Sequence, residues 1–94
     1  MDDWSEFVTP GMLTHCVVLD RYLAKQYAPV ARQADLAEVP RELIAEKKAP
    51  LEVMMEPGDE WWVWVVGTET LMQFGGLALV RAGAVVWASR DWIS

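Results

Sequence analysis

From Leu13 to Tyr27 the apolar residues Leu13, Cys16, Val17, Leu23 and Tyr27 recur at helical spacing, with Arg21 and Lys25 on another side, which predicts an amphipathic helix. Thr9-Pro10 ahead of it has the form of an N-cap followed by proline at the first helical position, where the missing N–H costs nothing. Pro29 ends or kinks this helix. A competing reading makes Cys16-Val17-Val18-Leu19 a short buried strand and starts the helix at Asp20, and periodicity alone does not separate the two. Of the pair, the helix is the expectation. A second, shorter helix follows Pro40, with Leu43, Ile44 and Val39 as its buried contacts and Lys47-Lys48 at its negative C-terminal end; Pro50 stops it.

After Leu51 the period changes from 3.6 to 2. Leu51 to Glu56 alternates, with Glu52, Met54 and Glu56 on one side and Leu51, Val53 and Met55 on the other. Pro57-Gly58-Asp59 is a turn signal, and Glu60 to Val66 is rich in the aromatic and β-branched residues that favour strands. Gly67 to Thr70 connects, and Leu71 to Phe74 is a helical turn or a strand start. Leu77–Arg81 and Ala84–Ala88 then flank Ala82-Gly83 as a hairpin. The expected fold is α+β: N-terminal helices, about 9–49, packed on a three- to four-stranded antiparallel meander, about 51–90, in a single domain spanning 1–94.

Length agrees with one domain, since 94 residues, 53% of them apolar and 23% charged, can bury one modest core. Such a core covers one face of a sheet more easily than two. The apolar window from Trp61 to Val80 is broken by Glu69, Gln73 and Gly75-Gly76, so it reads as strands and not as a membrane span. The acidic start, Asp2-Asp3-Trp4-Ser5-Glu6, lacks the basic and apolar regions of a secretory signal, and a single cysteine allows no intrachain disulfide. A cytoplasmic location is expected.

The run Gly58-Asp59-Glu60-Trp61, followed after a turn by Gly76-Leu-Ala-Leu-Val-Arg-Ala-Gly-Ala-Val-Val86, resembles the C-terminal half of small uncharacterised bacterial proteins with a Gly-Asp-Glu-aromatic strand and an Ala-Leu-Val-Arg-x-Gly-x-Val-Val hairpin. The resemblance covers residues 57–88 and implies the hairpin fold without an activity.

Candidate chemistry is sparse. His15 and Cys16 are the sole imidazole and thiol, and neighbours on a helix point about 100° apart, which makes them poor partners for each other. No His-x-x-x-His or Cys-x-x-Cys spacing offers a metal site, and no cofactor motif is present; Gly75-Gly76 lacks the Lys-Ser/Thr of a phosphate loop and reads as a strand start or bulge. Paired acids such as Asp59-Glu60 and Glu52/Glu56 are to be expected by chance when 14 of 94 residues are acidic. No catalytic residue is assigned. Nucleic acid is disfavoured as a direct ligand, because only eight Lys and Arg are available for phosphates.

The informative segment is Glu60-Trp61-Trp62-Val63-Trp64-Val65-Val66. Trp61, Val63 and Val65 share one face of a strand and Trp62, Trp64 and Val66 the other, the pattern of a strand covered on both sides. The cover can come from the helices and N-terminal arm, from a second copy, or from a foreign protein. Between Lys48 and Arg81 there is no basic residue, while Glu52, Glu56, Asp59, Glu60 and Glu69 are all acidic. Trp62 and Trp64 framed by these five acids form the expected protein-binding surface, since aromatic anchors carry interface energy and complementary charge steers encounter.

The expected function is a small acidic, non-enzymatic binding module that acts as an inhibitor or adaptor on a partner with a basic surface. Its size and its net charge of −6 are similar to those of phage-encoded anti-CRISPR proteins, which inhibit nucleoprotein complexes. A cytoplasmic homodimer with a tryptophan-lined seam is the alternative, and a carboxylate- or thiol-dependent enzyme the third possibility.

Overall fold

Glu60–Val66 is a strand with the bounds its composition predicts, and it is the second of four in an antiparallel sheet ordered as in the sequence: β1 (Leu13–Val17), β2 (Glu60–Val66), β3 (Phe74–Arg81) and β4 (Ala84–Ile93). The computed structural model describes residues 3–67 and 72–93. Two helices, α1 (Leu19–Gln33) and α2 (Arg41–Glu52), lie between β1 and β2 in the chain. The fold is therefore α+β with an antiparallel meander, and the helices precede only three of the strands. Two compact units result, one made of Met1–Val17 with Glu56–Ser94 and the other of Val18–Met55.

In the sheet unit the helix expected from Leu13 is replaced by a strand as far as Val17. Thr14, Val17 and Val18 are β-branched and lose side-chain freedom in a helix, whereas β2 offers them a ladder: Leu13 pairs with Trp64, Cys16 with Trp62 and Val17 with Trp61. Val18 stays extended and α1 begins at Leu19, close to the competing reading. Pro10 does open a helical turn, but a 3-10 one of three residues, Pro10–Met12, with Thr9 extended before it and making no side-chain cap.

The hairpin is longer than expected at both ends. Its turn residues Ala82 and Gly83 both take positive φ, 51° and 81°, as in the tight turns whose twist matches the flanking strands. Register shifts at Val86 and Asp91 bulge β4 on either side of Ala88. The second bulge accounts for Gly76, where a side chain would run into the Ser89 carbonyl oxygen, and the close approach of β2 accounts for Gly75, where one would run into that of Trp64.

On one face of the sheet a core cluster forms from Val8, Trp64, Ala78 and Ala88, with Trp4, Met12, Leu13, Val66, Phe74 and Val85 packed against it; Trp61, Leu77, Leu79 and Val80 are buried as well. The N-terminal arm is held to β4 at one residue, where Trp4 N–H donates to the Ala88 carbonyl (2.9 Å) and Ala88 N–H to Asp3 Oδ1 (3.2 Å).

In the helical unit the two prolines do not act as stops. α1 runs past Pro29 to Gln33 and α2 past Pro50 to Glu52, each forgoing the hydrogen bond that proline cannot donate. No strand forms over Leu51 to Glu56. Leu51 lies seven and eight residues beyond Ile44 and Leu43, on their helical stripe, and it is buried there; Val53 and Met54 then turn the chain out of the helix. No helix among the described residues is long and apolar enough to cross a membrane.

Candidate protein-binding surface

β2 places Trp62, Trp64 and Val66 on one face and Trp61, Val63 and Val65 on the other, and the two faces meet different fates. Trp64 is the most deeply buried large residue among the described residues, with no exposed area. Its ring stacks on Trp4 (6.2 Å between centroids) and meets Phe7 and Phe74 edge-on (6.1 and 6.0 Å), while its Nε1–H donates to the Ser89 carbonyl (3.0 Å). The chain's own N-terminal arm supplies this cover, so Trp64 is a core residue and not a binding one. Trp61, on the opposite face, is 4% exposed and meets Trp87 edge-on.

Trp62 stays half-buried at the acidic end of the strand, with its Nε1–H donating to Glu60 Oε1 at 3.5 Å. Across the ladder from it stands the exposed thiol of Cys16. His15 and Cys16 are successive strand residues and point to opposite faces, so they are no nucleophile pair. Thr14 Oγ1 donates to the Val63 carbonyl at 3.1 Å and lies within hydrogen-bond distance, 2.9 Å, of His15 Nδ1.

The remaining acids do not form one frame. Glu52 belongs to the helical unit, where Lys48 reaches it at 3.8 Å and Asp20 at 2.8 Å; the hydrogen bond with Asp20 is the main reason the Lys48 pKa is raised. Glu56 and Asp59 instead share Arg81. The guanidinium donates through Nε and Nη2 to the two carboxylate oxygens of Asp59 (2.9 and 2.8 Å), and its Nη1 pairs with Glu56. Asp59 also accepts the Glu56 N–H (2.8 Å) and returns its own N–H to the Glu56 carbonyl (3.1 Å), which closes the Pro57-Gly58 turn. The Arg81 hydrogen bonds, followed by that backbone bond, hold the Asp59 pKa below the usual carboxylate range, and the Asp59 side chain is 1% exposed. These two acids are structural. Glu69 lies outside the described residues.

Arg81 is the partner that the sequence reading missed, and the ladder contains its signal. Glu60 pairs with Val80 and Trp61 with Leu79, so the next step of the same register sets Asp59 beside Arg81. Of the seven expected binding residues, Trp62 and Glu60 remain together on the sheet.

Charge divides cleanly between the units. The helical unit holds six acids and six basic residues and is neutral; the sheet unit holds eight acids, Asp2, Asp3, Glu6, Glu56, Asp59, Glu60, Glu69 and Asp91, against Arg81 and Arg90. The whole net charge of −6 falls on the sheet unit. Arg81 is engaged by Glu56 and Asp59, and the Arg90 guanidinium sits over the Trp4 ring at 5.2 Å. Among the described residues no group of three or more His, Cys, Asp or Glu is arranged to hold a metal ion. No family model, curated protein or solved structure matches the chain.

Proposed function

We propose that this chain is a small, non-enzymatic protein-binding module that acts as an inhibitor or adaptor by occluding a basic protein surface. The observation that carries the reading is the segregation of charge: a neutral helical unit and a sheet unit that bears all six net negative charges. Such a field attracts a basic partner from beyond contact distance and repels phosphate backbones, so the partner is a protein and not free nucleic acid. In the form this takes for a phage-type inhibitor of a nucleoprotein complex, as the anti-CRISPR proteins are, the acids occupy a channel that nucleic acid would otherwise fill. The module works in a reducing compartment such as the cytoplasm, where the exposed thiol of Cys16 persists. A tryptophan-lined homodimer seam loses its main ring to the chain's own core at Trp64, and two sheet units of like charge repel each other.

The test is capture of host proteins on the immobilised chain at about 50 mM and about 500 mM salt, with the retained proteins identified and then measured singly. Basic proteins held at low salt and released at high salt, and weakened by Glu6→Lys and Glu60→Lys, support the reading. Reversal at Glu56 or Asp59 is unsuitable, because those acids hold the turn. Binding that is flat across the salt range overturns it.

A further inference from the structure

At the end of the sheet farthest from the Arg81 clamp, apolar side chains come to the surface together. Val66, Phe74 and Ile93 are register partners on β2, β3 and β4, so they form a row across one face. Phe7 of the N-terminal arm stacks on Phe74 at 5.8 Å with 28° between the rings. Phe7 is nevertheless 43% exposed and Ile93 53%. Exposed apolar residues scattered singly need no explanation, but these are contiguous. Acids flank them in the sequence, Glu6 before Phe7 and Asp91 two residues before Ile93, and the nearby cation, Arg90, is turned onto Trp4.

We propose that Phe7, Phe74 and Ile93 form the anchor site of the binding surface, and that its occupant is a protein segment presenting an apolar side chain between lysines or arginines. This deepens the charge-based reading above and rests on it. The occupant follows from complementarity: the rings and Ile93 take an apolar side chain, and the −6 sheet unit takes the positive charges on either side of it. A second copy of the chain would bring the same negative field against itself. Steering comes from the whole unit, and residence from the anchor.

The experiment uses the full chain and three labelled peptides: a lysine- and arginine-rich one with a central tryptophan, the same peptide with serine at the centre, and the tryptophan peptide with glutamates in place of its basic residues. The basic tryptophan peptide is expected to bind about tenfold more tightly than its serine counterpart, and the glutamate peptide not at all. Ile93→Ser should remove that tenfold difference and leave the serine peptide's affinity and its salt dependence unchanged. Ile93 is the deciding position because it is exposed and its replacement leaves the core intact; Phe7→Ser also touches Trp64 and is read only if its melting transition is retained. If basic peptides bind with steep salt dependence but neither Ile93→Ser nor the central residue matters, the anchor is overturned and the charge reading stands. If neither basic peptide binds at low salt, both fall. A dimer in sedimentation that Ile93→Ser dissociates would assign the patch to a second copy and overturn the proposal.

Discussion

Ala82 occupies a conformation in which an alanine is strained. With φ at 51° its Cβ crowds the following carbonyl, a cost of about 1–2 kcal/mol that asparagine largely escapes by hydrogen bonding locally. Ala82→Asn, which creates the Asn-Gly pair favoured in two-residue hairpins, is expected to stabilise the chain by about 1 kcal/mol and raise its melting temperature by several degrees. An unchanged or lowered transition would mean that the turn does not take this form. Asp59 makes the opposite kind of contribution. Its pKa is depressed in the folded chain, so the stability it supplies is present above its unfolded value, about 4, and is lost as pH falls through the folded value. Melting temperature should therefore drop on acidification below about pH 4. Asp59→Asn should melt lower at neutral pH and show a shallower acid slope, and parallel slopes for the two proteins would remove Arg81 from its role as the clamp. Glu56 and Asp59 look uncompensated along the chain because their countercharge, Arg81, stands on β3. Only the β2–β3 register brings Arg81 back to Asp59.

At the scale of elements, the N-terminal arm decides which tryptophan is core. Trp4 covers Trp64, meets Phe7 and Phe74, and supports Arg90, while its backbone N–H donates to Ala88 and its carbonyl accepts from Phe7 and Val8 within the arm. Trp4→Ala should cost about 3 kcal/mol, as for a partly collapsing aromatic cavity, with loss of near-ultraviolet circular dichroism from the ring cluster. A loss below about 0.5 kcal/mol, the range of ordinary surface substitutions, would show that the arm is not part of the core. The arm has no periodicity to announce it, whereas β2 and the hairpin announce themselves through dense β-branched and aromatic runs. The two misread elements fail for opposite reasons. β1 is a five-residue strand, too short to separate period 2 from period 3.6, and the ladder to β2 decides its state. Leu51 to Glu56 alternates well but has no strand to pair with, and the helical stripe from Leu43 claims Leu51 first. Pro29 and Pro50 mislead because proline weakens a helix by a finite amount that the remaining bonds can offset. Alternation alone sets Trp62 and Trp64 on one face of β2 without telling which of them is covered, while the apolar row at Phe74 and Ile93 depends on a register that includes a bulge.

For the molecule as a whole, the charge and the chain order separate in the same way. The segment that is neutral is also the segment inserted between two strands that are neighbours in the sheet. Residues 18–59 stand between β1 and β2, where a hairpin would need about two, and closing that longer loop costs about 2–3 kcal/mol more in chain entropy. The β2–β3–β4 meander carries no such burden. It can assemble from contacts near in sequence, with β1 and the arm arriving afterwards. During refolding the Trp64 ring is then covered when the arm docks, so in a stopped-flow trace its fluorescence change is expected to follow the formation of the β2–β3–β4 meander.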